Sequence, residues 1–209
     1  MNTIATVIPV IRAVPLMTLL LLAGCGAPDA PPSVASDGAP RKFWNELTAL
    51  CGKAFQGHIT SNEGGGAAPD PFEGQALIMH ARECSSTAIH VPFHVGDDRS
   101  RTWVFTRVGD AIQFKHDHRH EDGSSDAVTM YGGDSIESGS ASKLSFPADA
   151  ESKAMFEREG LTPSIDNTWL VDIVPGERLS YALVRPGREF RIDFDITRPV
   201  DTPPAPWGH

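Results

Sequence analysis

The chain has 209 residues, 40% of them hydrophobic, with 27 acidic against 18 basic side chains and a net charge of −9. That length and apolar share suit one globular domain with a real core. The acidic balance, with no basic stripe anywhere, excludes nucleic acid as a partner.

The first element is a signal. Arg12 is the only charged residue among the first 24. It precedes an apolar stretch at residues 16–22, too short for a bilayer core of ~30 Å, which takes ~20 apolar residues to cross. The segment therefore reads as an export signal. It closes on Leu22-Ala23-Gly24-Cys25, a run that resembles the lipobox of bacterial lipoproteins. The resemblance implies cleavage after residue 24, lipid on Cys25, and a protein anchored to a membrane without spanning it. It also implies a cell-envelope address. Gly26 is not the aspartate that commonly holds such proteins in the inner membrane, which favours the outer membrane with the body facing the periplasm. Without residues 1–24 the chain keeps 17 basic and 27 acidic side chains, a net charge of −10.

Residues 25–41, rich in Pro, Ala, Ser and Gly, read as a lipidated flexible tether. Phe43, Trp44, Leu47 and Leu50 then recur at helical spacing, so residues 42–50 are predicted as a short helix that packs against the body or plugs one end of it. From there the period changes to two. Strands are predicted at 51–60, 75–84, 87–95, 101–108, 111–121, 126–132, 141–146, 167–174, 178–185 and from Phe190 to Ile196. In the last, Phe190, Ile192, Phe194 and Ile196 alternate with Arg191, Asp193 and Asp195, the pattern of one buried and one wet face. Pro92 marks its strand as an edge or a bulge. A second helix is predicted at 149–159, with Asp149 as cap and Gly160 as stop. Residues 199–209 read as an extended Pro-rich tail, which leaves 42–198 as a single domain.

About ten antiparallel strands at short spacing form a meander, mainly β, closed as a single barrel or stacked as a sandwich, with one or two short helices. The element count resembles the calycin class of lipocalins and fatty-acid-binding barrels, although the Gly-x-Trp of the lipocalin first strand is absent. That resemblance implies a cavity for a small apolar ligand. The exported compartment permits the two remaining cysteines, Cys51 and Cys84, to pair. A hairpin of the first two strands places them opposite each other at its open end, so a disulfide is expected there.

The run Lys115-His116-Asp117-His118-Arg119-His120-Glu121-Asp122-Gly123 carries the chemistry worth weighing. On a strand His116, His118 and His120 share one face with Ile112 and Phe114, so they line an interior or a mouth. Two readings stand. Imidazoles suit a divalent metal, with His116 and His118 the easier pair because same-face neighbours lie ~6.5–7 Å apart. Alternatively the three form a hydrogen-bonded rim, with Asp126 as a neighbour across the Asp122-Gly123 turn. The expected register sets His118 opposite Val128 and His120 opposite Asp126, with Val128 and Met130 on the apolar side; a one-residue slip would set Arg119 opposite Asp126. The run misses the metallo-β-lactamase pattern, since His120 and Glu121 stand where Asp and His are needed, and it misses the cupin spacing as well.

His90 and His94 fall on the side of their strand opposite Ile89, Val91 and Phe93, which reads as a wet face. Asp97-Asp98-Arg99-Ser100-Arg101 reads as a charged hairpin loop; as a site for an anionic ligand it has two arginines, with two carboxylates to neutralise them. Arg185-Pro186-Gly187-Arg188 reads as a turn, and Ser135 and Ser140 as part of a Gly-Ser loop. There is no Gly-x-Ser-x-Gly elbow and no phosphate-binding glycine loop. Three functions remain open: a barrel that binds a small molecule, a metal-dependent protein using the histidine strand, and a structural lipoprotein that docks to envelope partners. An apolar cavity, a bound metal and a filled core with an exposed apolar patch are their respective signatures.

Overall fold

A computed structural model describes residues 38–65, 70–140 and 142–209; the expected export signal, Cys25 and the expected tether as far as residue 37 lie outside the described residues. Helix α1 (Ala39–Thr48) starts earlier than its apolar spacing suggests, because Pro40 fits the first turn, where its missing N–H is not needed. It buries Phe43, Trp44 and Leu47 on one face. The chain then turns at Gly52 (φ +79°) and enters the sheet.

Twelve strands follow: β1 (Ala54–Glu63), β2 (Leu77–His80), β3 (Glu83–Cys84), β4 (Ala88–Val95), β5 (Asp98–Val108), β6 (Ala111–His118), β7 (Tyr131–Asp134), β8 (Ile136–Ser140), β9 (Lys143–Pro147), β10 (Thr168–Val174), β11 (Arg178–Arg185) and β12 (Arg188–Asp195). Eleven run in the order β7-β6-β5-β4-β2-β1-β12-β11-β10-β9-β8, and β3 pairs with β4 beside that path. All are antiparallel neighbours in an up-and-down meander whose first and last strands join, Gly57 opposite Phe194 and Ile59 opposite Ile192. The sheet is thus a nearly closed barrel, and its two free edges, β7 and β8, are consecutive in the chain. Among the described residues no helix is long and apolar enough to cross a membrane.

The seam between those edges is drawn together by α2 (Ala150–Arg158), capped by Asp149 as predicted. Ser152, fully buried, donates its hydroxyl to the Gly132 carbonyl and accepts the Gly132 N–H. The Asp149 N–H donates to the same carbonyl. Lys115, buried on the outer side of β6, reaches the Asp149 carboxylate at 2.6 Å. Glycine is required here twice. A Cβ on Gly132 (φ +152°) would lie 1.8 Å from the Phe114 carbonyl oxygen, and one on Gly133 would lie 1.9 Å from that of Pro147. Only a bare backbone lets β7 sit between β6 and the end of β9.

Two expectations about β6 and β7 are corrected. No strand occupies residues 126–130; β7 begins at Tyr131, with His116 opposite Tyr131 and Phe114 opposite Gly133, so neither predicted register forms. Short polar side chains take the backbone donors of this loop, Asp122 bonding Ser124 N–H and Asp126 bonding Val128 N–H. Such local bonds compete with a ladder. Met130 adopts a positive φ of 54° and is 46% exposed instead of facing inward. The Gly-Ser segment expected as a loop instead contributes β8.

Pro92 is not on an edge. It lies within β4, opposite the break between β2 and β3, and the register with β5 shifts between Phe93 and Val95. The Cys51–Cys84 disulfide forms as expected at the open end of the β1/β2 hairpin. Closing a loop of 33 residues, it stabilises the fold by about 3–4 kcal/mol on the chain-entropy account.

The C-terminal residues are extended, as predicted, but they are strapped to the outer face of the sheet. Val200 bridges to Ala54, Trp207 N–H donates to the Arg99 carbonyl, and His209 Nε2 meets the Asp117 carboxylate at 2.9 Å. The face holding His90 and His94 is consequently not wet. His90 is half-buried, its ring 6.4 Å from that of His209, and His94 is buried.

Candidate functional site

The inward-facing side chains fill one end of the barrel and only line the other. At the first end α1 acts as a plug: Phe43 packs on Phe105 and Phe146, with centroids 5.9 and 6.4 Å apart, and Phe105 stacks on Phe114 at 4.4 Å. At the opposite end the interior opens into a cavity of about 310 Å³. One wall is a run of near-parallel rings, Phe72 on Phe93, Phe93 on Trp103 at 4.9 Å, and Trp103 on Tyr181 at 4.5 Å. Beside it, on the strand next to that of Trp103, His116 packs with Tyr131 and Trp169, the first two rings stacked at 4.7 Å. Phe156 of α2 and Leu161 and Ser164 of the short helical turn at Thr162–Asp166 close part of the rim.

His116 and His118 project into this space, as their alternation with Lys115 and Asp117 requires. His116 is buried, and both its ring nitrogens are engaged. Nδ1 donates to the Tyr131 carbonyl at 3.2 Å, which leaves Nε2 to accept from the Tyr181 hydroxyl at 3.0 Å. Burial, followed by the nearby His118 and Lys115, holds its pKa well below the ordinary histidine value despite the Tyr131 carbonyl. His118 Nε2 pairs with the Tyr131 hydroxyl at 2.9 Å. Its pKa falls to about 4, through burial first and Arg101 second, against the opposing pull of Asp126, Asp117 and Asp98. Both imidazoles are neutral near pH 7, and both tyrosine hydroxyls are kept protonated by burial.

The third histidine does not join them. His120 is exposed in the turn after β6, where its N–H donates to the Ser124 carbonyl. Asp126 is engaged with Val128 N–H. Asp117, on the outer side, is only 4% exposed and accepts from Arg119, Thr129 and His209. Among the described residues no group of three or more His, Cys, Asp or Glu is placed to hold a metal ion. His116 would have to give up a protein partner to ligate one.

Several residues that line the cavity were not assigned to it from the sequence. Arg101 lies inside the cavity, on the same face of β5 as Trp103 and Phe105, and Arg185 shares the inward face of β11 with Tyr181 and Leu183. The signal was parity with neighbouring aromatics, hidden by the Asp-Asp-Arg-Ser-Arg and Arg-Pro-Gly-Arg runs that read as turns. Tyr131, Trp169, Tyr181 and Asn167 complete the polar and aromatic lining. Comparison with known proteins returned no matching family model, no matching curated protein and no matching solved structure.

Proposed function

We propose that this chain is an envelope lipoprotein, lipidated on Cys25, whose barrel binds a small molecule in the open half of its interior. The observation that carries the reading is the cavity of about 310 Å³, walled by aromatic rings and bearing a few convergent polar groups. Ligand sites are typically concave, mostly apolar and about 300–1,000 Å³ in volume, and they sit at the mouths of barrels. A barrel serving only as a structural body has no use for an unfilled end, because each unfilled volume costs packing energy. The lipobox supplies the address: the acyl chain on Cys25 holds the protein at the membrane.

The test uses the two tryptophans that line the site. A panel of small aromatic molecules is titrated into the lipidated protein in nanodiscs, with empty discs subtracted, while Trp103 and Trp169 fluorescence is followed. Saturable quenching is expected in the wild type and its loss in Leu183→Trp, which fills the cavity. A response identical in both proteins would show that the probes do not enter the barrel. Cys25→Ser should release the protein from acyl labelling without altering the barrel's circular dichroism.

A further inference from the structure

We infer that the cavity is selective for an organic anion with a flat aromatic or conjugated body, an inference that rests on the small-molecule reading above. Two guanidinium groups line the cavity, those of Arg101 and Arg185, and no Asp or Glu among the described residues lines it. In a chain of net charge −9 this is a local inversion of sign. Neither arginine is fully used by the protein. Arg101 gives Nη1 to Asp98 at 2.5 Å, and Arg185 gives Nη1 to the Asn167 side-chain oxygen at 3.1 Å. Each guanidinium carries five N–H donors in a planar fork that matches a carboxylate, sulfonate or phosphate.

The rest of the site selects the body of the ligand. The Phe72-Phe93-Trp103-Tyr181 run presents near-parallel rings, and the stacked His116 and Tyr131 extend the aromatic lining beside it. Such surfaces favour a planar partner by offset stacking. With His116 and His118 neutral and hydrogen-bonded to tyrosines, the deeper groups offer dipoles and no net charge. The anionic end therefore belongs near the arginines, beside Asp98 at the rim, and the apolar end belongs against the rings. A cationic ligand would meet Arg101, whose charge Asp98 only balances, and Arg185, whose hydrogen-bond partner Asn167 is neutral, in a partly desolvated space where like charges repel.

The experiment compares three probes of one shape: 2-naphthoate, its neutral isostere 2-naphthamide and the cation 2-naphthylmethylammonium, each titrated by tryptophan quenching into the nanodisc-held protein. Naphthoate should bind about tenfold more tightly than the amide, and the cation should bind weakest. Arg101→Gln and Arg185→Gln should each weaken naphthoate about fivefold or more while leaving the amide unchanged. Asp98→Asn, which frees Arg101 from its carboxylate, should tighten naphthoate; a folding defect cannot mimic that gain. Equal affinity for acid and amide, unmoved by these substitutions, would overturn the anion selectivity while the cavity remained a binding site. Absence of a saturable response to all three probes would overturn both readings.

Discussion

The two ends of the barrel are built from the same alternation and used oppositely. At the end closed by α1, inward residues such as Phe105, Phe114 and Phe146 meet one another and the Phe43 ring, and the interior is solid. At the other end Arg101, His118 and Arg185 occupy the same inward parity, and 310 Å³ stays unfilled. Hydrophobic patterning therefore decides which way a side chain points, whereas the chemistry at the last inward positions decides whether the barrel holds a core or a site. Under the proposed function, a few residues near one rim turn a packed meander into a binding site.

The comparison is broken most severely by removing a ring from each end. Phe105→Ala should cost about 3–5 kcal/mol in urea unfolding, because a fully buried aromatic leaves a cavity its neighbours cannot fill. Phe72→Ala, at the half-buried wall of the open end, should cost only about 1 kcal/mol yet weaken the ligand. Equal costs would mean that the two ends are packed alike.

A second contrast is titration, since α1 and the rings it covers include no histidine. His118 has a folded pKa of about 4, below the unfolded value of about 6.5, so the unfolded chain binds the proton first. Its contribution to stability is complete above about pH 6.5 and is lost as pH falls toward 4, amounting to roughly 2–3 kcal/mol. His94, also lowered to about 4 by burial and then by His80, Arg99 and Arg82, adds in the same direction from the outer face. Urea midpoints measured from pH 7.5 to 4 should fall accordingly, and His118→Gln should make the slope shallower. A slope unchanged by that substitution would place the titration elsewhere.

The smallest effect separates the histidines themselves. His120→Ala should alter stability by no more than about 0.5 kcal/mol and leave binding intact, as expected for an exposed turn residue. A clear loss of binding would restore the three-histidine face that the strand period suggests.

Much of this architecture was legible because long strands keep a clean period. In β10, Trp169, Val171 and Ile173 alternate with Leu170 and Asp172, and in β12, Phe190, Ile192 and Phe194 alternate with charged residues. The cysteine pair and the Asp149 cap were readable from placement and residue type. What failed to show has a common cause. Around residues 119–130 the Asp122 and Asp126 side chains bond the backbone locally, so the two-residue period that continues in the sequence does not continue in the chain. The Gly-Gly at 132–133, at the end of the strand predicted at 126–132, gave no sign that it is the condition for closing the seam. Arg101 and Arg185 were absorbed into turn chemistry; their inward parity matters only once the barrel is known to be open at their end.

The most direct measurement of the central claim is a crystal structure of the mature protein with 2-naphthoate bound. The account predicts the naphthyl ring between the Trp103 and Trp169 sides of the cavity, with its carboxylate on Arg101 or Arg185. A naphthoate found only on the outer surface, with the open end closed over by its own aromatic side chains, would contradict it.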